Sequence, residues 1–518
     1  MPPRHHAAIA PRPSASARRD RALAACVAGA RALQRGQRDA ALERFAHAVD
    51  IAPDDPEIAV LRGIALRDAA KLADAQRELI RAVHLDPSRA DSFVQLAQTY
   101  RIAGDRTQAA RAFQCAATLQ PRNATAWRDA AESLRVAGQL HEALDAANHA
   151  AQLSPADSSI ANTTALILHR QGRIDEALAL CAQSRSHSTH DANLALTHGM
   201  LLRTMDCYDV GWPLNEHRLG LPQLLQRANP PASPRWSGDS LAGRHILVRA
   251  EQGLGDQVQF IRWATLLRAA GASSVTVHAA PSLVRLLETA PQIDAVVSTD
   301  APAPEHDVHV DIMSLPHLLR TGADMHGDLV PYLSPPGSPP GVVCQLSRDP
   351  STLLRLGVVW AGTPQHADDW TRSMSLGALL PAISHPSVQI VVLQQGAPRA
   401  DLDTIDPVVR NGFVDAAAVC HDMGDTAHVM AQCDVILTVD TAVAHVAGAL
   451  GLPVWIMVAH PAEWRWGRDR AHAPAYPSAH LIRQHRSGAW SDVVDDVRTR
   501  IVGWLADRGP TDRSERAR

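Results

Sequence analysis

The chain has 518 residues, 46% of them hydrophobic and 20% charged, with a formal net charge of −4. That length exceeds one ordinary core and predicts about two to four domains, while the near-neutral balance excludes a polyanion binder, so nucleic acid is not an expected partner. Seven cysteines stand singly, with no C-x-x-C pair and no His/Cys cluster at ligand spacing, which predicts neither a disulfide framework nor a structural zinc site and fits a reducing, cytoplasmic compartment. No apolar run reaches membrane-spanning length, and the Ala-rich stretch 22–30 reads as part of a helical repeat rather than as an export signal. Lys71 is the only lysine, which removes every mechanism that needs a P-loop lysine or a lysine Schiff base.

Residues 1–20 read as a disordered N-terminus, and from residue 21 to about 200 an internal repeat organises the chain. Pro53, Pro87, Pro121 and Pro155 are spaced by 34, as are Ala41, Ala75, Ala109, Ala143 and Ala177; Gly36, Gly104, Gly138 and Gly172 keep the same frame, with Ala70 in the remaining place. This is the tetratricopeptide period. The fullest copy contains Phe93, Leu96, Ala97, Tyr100, Gly104, Ala109, Phe113, Ala116 and Pro121, small residues letting paired helices approach and aromatic ones filling the space between pairs. An α-solenoid with a groove for a protein or peptide is expected. The fifth copy has Thr189 in the proline frame, which predicts that the array ends near residue 200.

Residues 201–240, containing "ANPPASPRWSGDS", read as a linker. Apolar strands at 246–248, 275–279 and 295–297 then alternate with helical stretches, the pattern of a parallel sheet covered by helices. "SPPGSPPG" interrupts at 334–341, and the alternation restarts with strands at 356–362, 389–396, 435–440 and 454–458. Two α/β halves, 241–340 and 341–505, are expected to form a cleft at the ends of their strands, followed by a disordered tail from 506.

Two strand-to-helix turns carry the candidate site. "AEQGLGDQVQF", 250–260, is the first turn of the first half, where Gly253 and Gly255 are expected to permit a sharp bend before Gln257. It is no dinucleotide fingerprint, because Val258 holds the third glycine position and no acidic residue ends the next strand. Asp256 is therefore either a helix cap or a functional carboxylate facing the cleft. In "DVILTVDTAVAHVAGALGLPVW", 434–455, a buried strand runs into Asp440 and Thr441 and then a helix whose free backbone N–H groups could cradle a phosphate; Ala442 and Ala444 let an anion approach. His445, one turn in, is either a ligand contact or a histidine packed on the sheet.

Together these two stretches resemble the lipopolysaccharide heptosyltransferases of glycosyltransferase family 9, and more closely bacterial proteins that join tetratricopeptide repeats to such a domain. The resemblance covers about residues 240–505 and implies a GT-B fold of two Rossmann-like halves, acceptor on the first and nucleotide sugar on the second. It implies that Asp256 is the catalytic base and that Asp440, Thr441 and His445 hold the donor diphosphate. Ala442 and Ala444 stand where the family has glycine and serine, and the phosphate-binding lysine has no counterpart. Arg372 is the expected substitute, beside Trp360, Gly362 and His366. Glu251 is the reserve base.

The implied function is inverting, metal-independent transfer of a sugar from a nucleotide-diphosphate sugar to a protein or glycan acceptor recruited by the repeats, with no cofactor. The alternative is an interaction scaffold with an inactive or sugar-binding domain. Asp401 and Asp403 form a D-x-D, read as a solvated loop rather than a metal site, and His309 reads as structural. Trp464 and Trp466 read as packed in a core before they read as stacked on a ligand.

Overall fold

The computed structural model describes residues 14–222, 233–320, 329–337, 346–347, 349–364, 366 and 368–508, and the chain divides into two compact units, 1–167 and 168–518. Most of the expected disordered N-terminus and tail, the start of "ANPPASPRWSGDS" and the end of "SPPGSPPG" lie outside the described residues.

The first unit is built from helix pairs: α1 (Ala15–Gln34) with α2 (Arg38–Ile51), α3 (Pro56–Asp68) with α4 (Leu72–Leu85), α5 (Ala90–Ile102) with α6 (Arg106–Leu119), α7 (Ala124–Val136) with α8 (Leu140–Leu153), and then most of α9 (Ser158–Arg170). Helix begins earlier than the sequence predicts, because the Ser14 hydroxyl accepts from the N–H of Ala17 and caps α1. The small residues behave as expected. Ala41, Ala75, Ala109 and Ala143 are buried, and a Cβ at Gly63 would collide with the Leu79 side chain. Gly36, Ala70, Gly104 and Gly138 all have positive φ, so each pair turns through the same left-handed residue.

The second unit opens with the end of α9, then α10 (Ile174–His187), α11 (Ala192–Thr204) and α12 (Tyr208–Asn215). A sixth helix pair thus reaches into the first part of the segment expected to be a linker. Its frame is intact: Asp206 follows Gly172 at 34 residues and has φ +62°. Losing the proline at Thr189 does not end the array, because the helix cap two residues on is kept: the Asp191 carboxylate accepts from the N–H of Leu194 at 3.0 Å, as Asp55 and Asn123 cap their helices in the frames that have Pro53 and Pro121.

Two sheets follow. The first has the order β3-β2-β1-β4, all parallel, from β1 (His245–Arg249), β2 (Ser274–Ala279), β3 (Ala295–Ser298) and β4 (Val308–Asp311), with α13 (Leu254–Ala264) after β1. The second has the order β6-β5-β7-β8-β10-β9, from β5 (Leu354–Val359), β6 (Val388–Val392), β7 (Val435–Val439), β8 (Val454–Val458), β9 (His472–Ala473) and β10 (Tyr476–Arg483), with α14 (Ala442–Ala449) after β7. It is parallel except for β9. The unit is therefore α/β, with chain order reversing beside β1 in one sheet and between β5 and β7 in the other, the places where such folds bind ligands.

The sixth helix pair is part of this α/β core. Trp212 of α12 packs edge-on against Phe260, Trp263 and Trp464. Arg203 of α11 is 4% exposed, lies 4.9 Å from the Trp212 ring and 4.7 Å from the Trp464 ring, and donates to the Gly211 carbonyl. A cut at residue 200 removes most of α11, the helix that seats Arg203 against these aromatics. The fragment 201–518 is expected to aggregate, whereas 158–518, which keeps α9 whole, should be soluble and melt cooperatively. Equal melting midpoints for the two fragments would show that α11 is dispensable.

Candidate active site

The turn after β1 places its residues differently from their expected roles. Its left-handed residue is Gln252, φ +65°, whereas Gly253 is extended at φ −78° and ψ 171°. Gly255 is small for another reason: a Cβ there would lie 2.7 Å from Cδ2 of His445. The start of α13, from the first sheet, thus crosses the start of α14, from the second, at van der Waals distance.

That crossing brings Asp256 beside the start of α14. Its Oδ2 accepts from the N–H of Gly253 at 3.0 Å, so it does cap α13. Its Oδ1 accepts from Nη2 of Arg465, a residue of the second half. Arg465 also donates from Nε to Oε1 of Gln259 at 2.6 Å and from Nη1 to Glu463. Burial would lower the Arg465 pKa, but the charges of Glu463, Asp256 and Asp440 override it and hold the guanidinium firmly protonated. In "EWRW" the tryptophans are legible from sequence, whereas nothing local marks the arginine between them, whose partner Asp256 lies 209 residues away. Trp464 and Trp466 are 3% and 0% exposed and serve as anchors in the core.

Asp440, Thr441 and Ala442 follow β7 and are partly exposed. Thr441 begins α14 with extended backbone, and its Oγ1 lies 3.1 Å from Oγ1 of Thr438. His445 is buried, stacked on Trp466 with ring centroids 5.4 Å apart, and its Nδ1 shares a 2.9 Å hydrogen bond with the Tyr476 hydroxyl. Burial, then the charges of Arg465, Arg262 and Arg372, hold its pKa well below the usual histidine range. His445 is therefore a neutral brace of the helix crossing and supplies no positive charge.

Arg372 follows the turn after β5 and is partly exposed, its Nε 3.2 Å from Oδ1 of Asp369. Gly362 has no room for a side chain, because a Cβ would meet Asp369 and Arg372. Its N–H donates to Ser373, whose hydroxyl donates to Asp369. Exposed His366 accepts at Nδ1 from the N–H of Asp368.

Three expected site residues are structural instead. Glu251, the reserve base, is 1% exposed, pairs with buried Arg218 at 2.5 Å and accepts from the N–H of Met313. Gln257 is buried and accepts from the N–H of Ala280. The Trp360 ring is 0% exposed, and its backbone N–H is held by Oε1 of Gln394. In the D-x-D, Asp401 accepts from the N–H of Leu376 and Asp403 pairs with Arg410. His309 is buried on β4, its Nδ1 3.0 Å from the Ser233 hydroxyl. Asp256, Arg465, Asp440, Thr441, Ala442 and Arg372 remain as the partly exposed set.

The two halves are joined beneath this set. Arg262 of α13 is 0% exposed and donates to the carbonyl of Ala475 and the hydroxyl of Tyr332. Arg285 pairs with Asp422 and Asp425. Among the described residues, no helix is long and apolar enough to cross a membrane.

No family model matches the chain. Among curated proteins it is similar to FlbA of Caulobacter vibrioides, 23% identical over 302 residues, a match that covers 52% of this chain and 48% of FlbA. The chain thus spans about half the length of the curated relative it matches. Among solved structures, MamA from Desulfovibrio magneticus RS-1 is 17% identical with a TM-score of 0.30, covering 33% of this chain and 97% of that one. PilF of Pseudomonas aeruginosa is 16% identical with a TM-score of 0.32, covering 40% and 97%.

Proposed function

We propose that the second unit is an inverting, metal-independent glycosyltransferase of the GT-B type, moving a sugar from a nucleotide-diphosphate sugar to a protein or glycan acceptor recruited by the repeats. The observation that carries this reading is the meeting of Asp256, from the first half, with the partly exposed start of α14 and Arg465, from the second. A base and an anion-binding turn on opposite walls suit a reaction in which the acceptor loses a proton while the donor loses a diphosphate.

In this reading the acceptor oxygen attacks the anomeric carbon as the bond from that carbon to the diphosphate breaks. The bonding pair leaves on the diphosphate, the acceptor proton passes to Oδ1 of Asp256, and the configuration inverts. The backbone N–H groups at Thr441 and Ala442, with Arg465 and Arg372, supply the positive charge the leaving group needs, which is why no divalent ion is invoked.

A second reading is an interaction scaffold. Ala442 and Ala444 offer no hydroxyl to a phosphate, and the helical repeats alone suit protein binding. Nucleoside diphosphate titration in EDTA separates the two. A diphosphate at a hundredfold excess over its Kd should stabilise the protein by about 2.7 kcal/mol, with or without chelator. Stabilisation that disappears in EDTA rules out the metal-free assignment; no stabilisation by any nucleoside diphosphate favours the scaffold.

A further inference from the structure

Resting on that reading, we propose that Arg465 is the side chain that receives the donor's diphosphate, and that it does so by leaving Asp256, so that donor binding itself uncovers the base.

The present geometry is that of a covered base. Gly253 holds Oδ2 of Asp256, and Arg465 holds Oδ1, the atom that would take the acceptor's proton. An incoming hydroxyl cannot reach that oxygen while the guanidinium occupies it. Arg465 is at the same time coupled to the turn: Asp440, which follows the strand leading into α14, is among the charges that keep it protonated. Its backbone is fixed by buried Trp464 and Trp466, and its guanidinium lies 4.3 Å from the Trp464 ring, a face along which the planar group can swing.

The two candidate cations differ in what they would leave behind. Arg372 is paired with Asp369, which is 6% exposed, so withdrawing it strands a buried carboxylate. The charged partners of Arg465 keep contact with water, the Asp256 and Glu463 side chains being 18% and 35% exposed, and its third partner, buried Gln259, is neutral and gives up one hydrogen bond. Water can therefore solvate both carboxylates once the guanidinium moves, and a diphosphate offers it more charge and bidentate oxygen pairs. Arg372 stays as a fixed charge while Arg465 exchanges partners. The order of binding follows: donor first, acceptor second.

Calorimetric titration of the full-length protein in EDTA, with UDP, GDP, ADP, CDP and inorganic pyrophosphate as probes, tests the exchange. Arg465→Gln should weaken binding about 10- to 100-fold, the range of one or two charged hydrogen bonds, and Arg465→Lys should restore part of it. Asp256→Asn should tighten binding several-fold, because it removes the competitor for Arg465. That tightening should vanish in the Asp256→Asn, Arg465→Gln double variant. A merely structural ion pair predicts the opposite sign for Asp256→Asn. If the wild type binds a probe but Asp256→Asn binds it equally or more weakly, or its tightening persists without Arg465, the exchange is wrong and the donor site survives. If the wild type binds none of the five probes, the transferase reading falls and the exchange with it. Asp256→Asn retains an acceptor for the Gly253 N–H, so it decides the matter even if Arg465→Gln does not fold.

Discussion

Asp256→Asn is expected to lower sugar transfer by about 10² to 10⁴, the usual contribution of a general base, once an active donor and acceptor pair is in hand. The amide has the same size and still accepts from the N–H of Gly253, so α13 keeps its cap and the fold should be unaffected. Loss of the base alone would lower kcat and leave the donor KM untouched. The pairing with Arg465 adds a second signature, because the freed guanidinium is available to the diphosphate in every molecule. Falling kcat with a falling donor KM is therefore the expected pattern. Transfer at close to the wild-type rate would remove Asp256 from the chemistry. Since Glu251 is sealed beneath the surface, the next candidate would be Glu463, 35% exposed and 2.5 Å from Arg465.

The repeats were legible because one physical requirement recurs every 34 residues: a small side chain where two helices cross and a left-handed residue where they turn. Both requirements are met in the sixth pair as well, by Gly211 in the frame of Ala41 and by Asp206 in the frame of Gly36. The proline frame was the misleading guide, since the cap two residues on, Asp55, Asn123 and Asp191 in one frame, is present with or without the proline. Of the strands, β5, β7 and β8, buried along their whole length, stood out as apolar runs, whereas β4, equally buried but reading Val-His-Val-Asp, and β10, with its mixed pattern from Tyr476 to Arg483, did not.

The site was half legible. Strand-to-helix turns are written locally, so Asp256, Asp440 and Thr441 could be found from the apolar runs before them. What the turns meet is written in no local pattern. Arg465 reaches Asp256 across 209 residues, and Gly255 is small because of His445 rather than because of its own backbone. Composition hides such pairs, and a long-range ion pair leaves no period in the sequence. The same blindness produced the reserve base: Glu251 sits beside the motif, but its partner Arg218 lies in a segment that reads as linker.

Glu251→Ala should destabilise the fold rather than act on the chemistry. The substitution leaves Arg218, 2% exposed, without its closest counter-charge and takes the acceptor from the N–H of Met313. Breaking a buried pair on one side costs about 3–5 kcal/mol. Glu216, which holds Nη1 of Arg218 at 2.7 Å and is 22% exposed, places the expected loss toward the lower end of that range. Urea denaturation of the full-length protein, followed by tryptophan fluorescence, reports on the second unit, where ten of the eleven tryptophans lie. Its transition should move to lower urea with the slope preserved. Replacing both partners at once, Glu251→Leu with Arg218→Met, should recover most of the loss, because no buried charge is then left uncompensated. A structural pair requires that recovery, and a catalytic Glu251 forbids it: as a base, its removal would leave the urea midpoint where it is and abolish transfer, and no change at Arg218 could restore the rate.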